Sequence, residues 1–172
     1  MVNSLLKTQS AVLAAGTAFS WYTLVDDYRL YFAAGGEWFQ WSGCSVTNPM
    51  QTACFYGAIA FLIALVWSLG VLAGTPNRVM GRQRGLNWLL AAATVFAWSS
   101  FAWEMFAAAN HQPAPKFSCP PLPQAPVQYL DQPCFYGALM FLAALMISQL
   151  VLRTEGPARR RRSVGHALRP HG

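Results

Sequence analysis

Apolar residues fall into four long blocks along the chain, 9–29, 54–74, 86–109 and 134–153, separated by polar or proline-bearing connections. Leu, Ala, Phe, Met and Val dominate each block, and interior charges are few. A helix needs about 20 mostly apolar residues to cross a hydrocarbon core roughly 30 Å thick, so each block predicts a membrane-crossing α-helix. The breaks have chemical markers: Gly74, Thr75 and Pro76 after the second block, Pro113 and Pro115 after the third, Gly156 and Pro157 after the fourth. Proline removes a backbone donor and glycine adds chain entropy, so both disfavour continuation of a helix. The pattern predicts an all-α membrane protein with four transmembrane helices. It has one domain over 1–153 and a disordered basic cytoplasmic tail over 154–172.

Composition agrees with that reading. The chain has 172 residues, 55% hydrophobic and only 10% charged, against about 25% charged in an ordinary soluble domain. This excludes a disordered chain, a coiled coil and a secreted disulfide miniprotein. The formal charge of +6 raises nucleic-acid binding, but the positions of the cations point elsewhere. Lys7, Arg78, Arg82, Arg84, Arg153, Arg159, Arg160, Arg161, Arg162 and Arg169 all fall on one side of the predicted bundle, and only Arg29 and Lys116 on the other. The positive-inside rule then places both termini in the cytoplasm of a bacterial inner (plasma) membrane, with two extracytoplasmic loops. The Arg159 to Arg162 run reads as an anchor near anionic lipid, and no nucleic-acid partner is expected. Lys7 ahead of an apolar run resembles a secretory signal, but the run continues through Trp21, Tyr22 and Leu24, beyond the short core and small-residue exit of a cleaved signal.

The two halves of the chain match. Leu13-Ala14-Ala15-Gly16-Thr17-Ala18-Phe19-Ser20-Trp21 and Leu90-Ala91-Ala92-Ala93-Thr94-Val95-Phe96-Ala97-Trp98 agree at six of nine positions. Cys54-Phe55-Tyr56-Gly57-Ala58 recurs as Cys134-Phe135-Tyr136-Gly137-Ala138, and ten of the fifteen residues from Cys54 to Ser68 recur from Cys134 to Ser148. Repeat 1 covers about 9–74 and repeat 2 about 86–153. Each half crosses twice, so both enter from the same side. The expected architecture is two parallel helical hairpins in a pseudo-twofold four-helix bundle, related by an axis along the membrane normal. Gly16, Ser20, Thr23 and Asp27 share one helical face, as do their counterparts Ala93, Ala97, Ser100 and Glu104. Small side chains let helices approach closely in lipid, so these stripes are expected to pack against the second and fourth helices.

Chemistry rests first on four cysteines. Cys44 and Cys54 bracket the first outer loop, and Cys119 and Cys134 the second. Four cysteines allow three pairings, and the duplication favours one disulfide within each loop. Closing such loops stabilises a fold by roughly 3 kcal/mol in the chain-entropy description. A redox role is the alternative. Four spans with two cysteines in each outer loop resemble the layout of the membrane thiol oxidases of the disulfide-bond-formation family, which pass electrons to quinone. The resemblance covers topology only. That family sets a Cys-x-x-Cys pair at the start of the second helix, and no Cys-x-x-Cys occurs here. The vitamin K epoxide reductase-like proteins differ in the same way. Cys54 and Cys134 nevertheless open helices, where the positive dipole end favours a thiolate.

Asp27 and Glu104 stand at matching places near the outer ends of the first and third helices. Ionisable groups in a span face the bundle interior and often mark function. They read either as interfacial acids, with Asp27 pairing with Arg29 or bonding loop backbone, or as a proton or cation site between the halves. Tyr56 and Tyr136 follow the helix-opening cysteines and read as headgroup-level anchors. Trp38, Phe39 and Trp41 before Cys44 read as a membrane or partner surface. The second loop carries seven of the eleven prolines and is expected to be stiff and extended. His111 lacks neighbours at metal-ligand spacing, and no phosphate loop, nucleotide fingerprint or serine elbow occurs.

The leading expectation is therefore a non-enzymatic membrane accessory, assembly or hydrophobic-ligand-binding subunit with disulfide-pinned outer loops and no metal or cofactor. Its partners would be the lipid bilayer and another membrane protein or further copies of itself. The alternatives are a quinone-linked thiol-disulfide oxidoreductase using Cys54, Cys134, Cys44 and Cys119, and a proton- or cation-coupled carrier acting as an oligomer.

Overall fold

A computed structural model describes residues 2–33, 35–38, 48–74, 76–109 and 133–167. Four helices account for nearly all of them: α1 (Val2–Ala33), α2 (Ala53–Leu72), α3 (Pro76–Ala109) and α4 (Pro133–Ala167), with a single 3-10 turn at Pro49–Gln51 before α2. No strand occurs among the described residues. Three segments, Ala53–Leu72, Val79–Trp103 and Cys134–Thr154, are long and apolar enough to cross a membrane. α1 runs unbroken through the first predicted block but is not among them. Its 32 residues suffice in length; Gln9, Ser10, Thr17, Ser20, Thr23, Asp26 and Asp27 thin its apolar character.

The third block starts earlier than its apolar pattern predicts. Proline fits the first helical turn, where its missing N–H would be unpaired in any case, and α3 begins at Pro76. The connection from α2 is correspondingly tight. The N–H of Ala73 bonds to Leu69 O at 3.0 Å and that of Gly74 to Val71 O at 3.2 Å. Arg82 Nη1 reaches back to Gly70 O at 3.1 Å, satisfying a carbonyl at the end of α2. Arg82 and Arg84 thus lie on a helix, not in a loop. α4 likewise passes the expected end at Arg153 and continues to Ala167.

α1 packs against α2 and α4, and α3 against the same two helices. Side-chain pairs fix their directions. Gly16 meets Phe61 and Ser10 meets Ser68, so α1 and α2 are antiparallel. Gln83 meets Ser148 and Trp98 meets Phe135, so α3 and α4 are antiparallel too. α2 and α4 run in the same direction, because Cys54 meets Cys134 at their starts and Phe61 meets Phe141 two turns further on.

The interior follows helical periodicity. Ala58, Phe61, Ala64, Ser68 and Val71 are the buried residues of α2, and Ala138, Phe141, Ala144, Ser148 and Val151 are buried at the corresponding places on α4. Steps of three and four place each set on one helical face. Leu13, Leu86 and Leu90 complete the central cluster with Phe61, Ala64, Phe141 and Ala144. A second cluster of Leu6, Val71, Val79 and Val151 closes the opposite end from the cysteines. The outward faces are also apolar: Leu62, Ile63, Val66, Leu69, Trp88, Val95, Phe96, Met146 and Leu150 are all exposed.

Candidate functional site

The cysteine end is built by local hydrogen bonding. Asn48 Oδ1 accepts from the Met50 N–H at 3.0 Å and starts the 3-10 turn. The Thr52 hydroxyl donates to Pro49 O at 2.7 Å and accepts from the Phe55 N–H at 3.3 Å, capping α2. Cys54 therefore sits in the first turn of α2. Pro133 opens α4, so Cys134 has the same position there. Cys54 and Cys134 are joined by a disulfide, with Cα atoms 6.2 Å apart. This overturns the expected pairing within each loop: the parallel approach of α2 and α4 sets the two helix starts side by side, so each sulfur meets its counterpart. Cys44 and Cys119 lie outside the described residues.

Beneath the disulfide is a cavity of about 60 Å³. Phe19 and Thr23 of α1 and Phe96 and Ser100 of α3 wall it, and Phe61 and Phe141 border it below. Those two rings stack with centroids 3.7 Å apart and planes within 12°. Gly57 and Gly137 line it, and a Cβ built on either meets nothing within 4 Å. Gly16 has no such room. One placed there would stand 2.5 Å from Phe61 Cε1, so glycine is what lets the ring lie against α1. The expected packing of this small-residue stripe on α2 holds at Gly16, whereas Ser20, Thr23 and Ser100 line the cavity. Ser20 Oγ donates to Thr17 O at 3.1 Å and Thr23 Oγ1 to Ser20 O at 3.0 Å. The Ser20 and Thr23 hydrogens are committed to their own helix, whereas the Ser100 hydroxyl on the same wall stays available to a guest. The chamber is thus mostly apolar, with hydroxyl acceptors and the Ser100 donor on its wall.

The remaining predicted residues are dispersed. Asp27 is half-buried and Arg29 is exposed, and no ion pair joins them. Residues two apart on a helix point to different sides. The Glu104 side chain lies outside those described, so the expected proton or cation site is not placed. Trp38 packs on Phe32 at 4.7 Å and Tyr28 at 5.7 Å between ring centroids, yet stays 57% exposed. Its fold-back depends on Gly35, at φ +79°, and on Tyr31, whose buried ring donates its hydroxyl to Glu37 O at 2.8 Å. Phe39, Trp41, His111 and the proline-rich loop lie outside the described residues. Tyr56 and Tyr136 are both exposed, and Tyr136 touches Phe19 edge-on at 6.2 Å. Among the described residues no three His, Cys, Asp or Glu side chains come together as metal ligands.

A polar group that sequence reasoning missed occupies the other half of the bundle. Gln83 Nε2 donates to Gln9 Oε1 and to Ser148 Oγ, each at 3.0 Å. Ser10 and Ser68 share a 2.7 Å hydrogen bond, and all five side chains are buried. The signal was present in spacing: Gln9 stands four residues before Leu13, and Gln83 stands three before Leu86 and seven before Leu90, on the same faces as those core leucines. Reading Gln83 as part of a loop concealed it.

The sequence matches no protein-family model, and neither a curated protein nor a solved structure shows significant similarity to it.

Proposed function

We propose that the chain is a non-enzymatic protein of a bacterial inner membrane, a ligand-binding accessory subunit whose cavity beneath the Cys54–Cys134 bond receives the end of an apolar molecule. Its exposed Leu, Ile, Val, Phe and Trp faces with an interior that holds Gln and Ser favour lipid as the surrounding medium. In this reading α1 is the fourth span, with Gln9 and Ser10 buried in the bundle and Asp26 exposed near its outer end. The halves are fused hairpins inserted the same way round. Their matching sequences and their matching buried faces on α2 and α4 support a pseudo-twofold axis between Phe61 and Phe141. The distribution of Lys and Arg supports cytoplasmic termini.

The cavity carries this reading. A volume of about 60 Å³ encloses the tip of an acyl or isoprenoid chain, or the edge of a ring, and its walls offer no free donor among the hydroxyls of Ser20 and Thr23. Native mass spectrometry of protein released from its own membranes tests it. A retained lipid or isoprenoid is expected in the natural protein and absent from a Gly57→Leu/Gly137→Leu variant, whose added side chains have room to enter the cavity. Identical spectra, with no retained molecule in either, refute the reading.

A second reading is favoured by one observation: both sulfurs border the same cavity. If the bond cycles, the Cys54 and Cys134 thiols would give two electrons and two protons to a bound quinone, forming the disulfide and a hydroquinone. Quinone reduction by purified protein supplied with a dithiol, and its loss in Cys54→Ser, would favour this reading over the first.

A further inference from the structure

The buried polar group in the half away from the cysteines is incompletely satisfied. Gln9 Nε2, Gln83 Oε1 and Asn87 Oδ1 are buried and have no hydrogen-bond partner, although Gln9 is 0% and Gln83 1% exposed. Most buried polar atoms in native structures are paired, with ordered water where protein groups do not reach. We infer that Gln9, Gln83 and Asn87 together hold a bound water molecule inside the bundle.

Two observations bring the three side chains to one part of the bundle. Gln9 and Gln83 are already hydrogen-bonded at 3.0 Å, so the unused ends of the two carboxamides belong to one pair. Asn87 lies one turn beyond Gln83 on α3, and residues four apart are neighbours on a helix surface. Both hydrogens of Gln83 Nε2 are used, on Gln9 and Ser148, so neither can turn to satisfy Asn87. Leu13, Leu86 and Leu90, each 0% exposed, shut the group off from the cavity at the other end.

The occupant follows from the donor and acceptor count. Two oxygens lack a donor and one N–H lacks an acceptor. A water gives its two hydrogens to Gln83 Oε1 and Asn87 Oδ1 and accepts from Gln9 Nε2, meeting all three demands. A monovalent cation would suit the oxygens but face the Gln9 N–H; ammonium has donors only; an anion would meet the two oxygens. Turning both glutamine amides over keeps the same tally, with Gln83 Nε2 as the unmatched donor and Gln9 Oε1 and Asn87 Oδ1 as the unmatched acceptors, and water fits that arrangement too. The consequence is a second cross-brace. The disulfide ties α2 to α4 at one end, and the hydrated carboxamides tie α1 to α3 at the other. This assignment does not depend on what the cavity binds.

Water-edited solid-state NMR on protein with labelled Gln and Asn side chains in lipid bilayers tests it. Magnetisation from water is expected at the Gln9 and Gln83 amides but not at the Leu13 and Leu90 methyls. It should be lost in Gln83→Leu. Asn87→Leu, which leaves the Gln9–Gln83 bond in place, should weaken it, and this variant decides the matter if Gln83→Leu does not fold. Dry carboxamides in the natural protein, or transfer unaffected by Asn87→Leu, overturn the assignment. So does a thermal midpoint that rises with sodium or potassium but not with choline at equal ionic strength, since that would identify a cation.

Discussion

Phe61 and Phe141 stack face to face, ring centroids 3.7 Å apart, on two helices that approach each other across the bundle. Each ring comes from the same place in a matching stretch of sequence. Two turns nearer the helix starts, Cys54 and Cys134 are bonded in the same relationship, and the cavity lies between bond and rings. Packing and chemistry at this end of the molecule depend on how closely α1 lets Phe61 approach.

Gly16→Val should therefore disturb the stack. A Cβ at this position lies 2.5 Å from the Phe61 ring, and such overpacking costs typically about 1–3 kcal/mol. Thermal unfolding in detergent should show the loss, together with weaker retention of any bound molecule as the ring is pushed toward the cavity. Gly57→Ala, with nothing within 4 Å of the added carbon, should leave stability within about 0.5 kcal/mol.

Cys54→Ser and Cys134→Ser should each lower stability, and the double variant should lose no more than either single change. The bond spans 80 residues of sequence, for which chain entropy gives about 4.5 kcal/mol in a freely unfolding chain. Helices that stay inserted restrict the unfolded chain, so the measured loss should be smaller. Unfolding with and without reductant, alongside peptide mapping of the unreduced protein, checks both points. Cys44 linked to Cys54, or Cys119 to Cys134, would contradict the pairing.

Gln9→Leu and Gln83→Leu should each cost roughly 0.6 to 1.7 kcal/mol, the range seen for hydrogen bonds between helices in membranes. Their double variant should cost less than the sum, with a coupling of at least about 0.5 kcal/mol, because the two residues share one hydrogen-bonded network. Additive losses in a double-mutant cycle would mean that the two carboxamides act separately.

The helices were legible in the sequence because their apolar blocks are long and end in Gly and Pro. Helix boundaries were less legible. Pro76 reads as a terminator from the α2 side and is in fact the first residue of α3, which carries Arg82, Gln83 and Arg84 into the helix. The cavity residues Phe19, Gly57 and Phe61 and both bonded cysteines lie in the matching stretches of sequence, but the match did not reveal which cysteines pair. Pairing depends on the distance between helix starts, whereas the duplication favours one bond within each loop. Gln83 was missed because it lies ahead of the third apolar block, in what reads as a connection, and Gln9 because it stands at the very start of the first.

The proposed function requires two hairpins inserted the same way round, with the Cys54–Cys134 bond on the extracytoplasmic side. Labelling intact cells with a membrane-impermeant maleimide tests this directly, using single added cysteines at Glu37, Arg84 and Thr154. Labelling at Glu37→Cys, with Arg84→Cys and Thr154→Cys reacting only after the membrane is opened, is the predicted result. Labelling of Arg84→Cys or Thr154→Cys from outside, with Glu37→Cys protected, would contradict it.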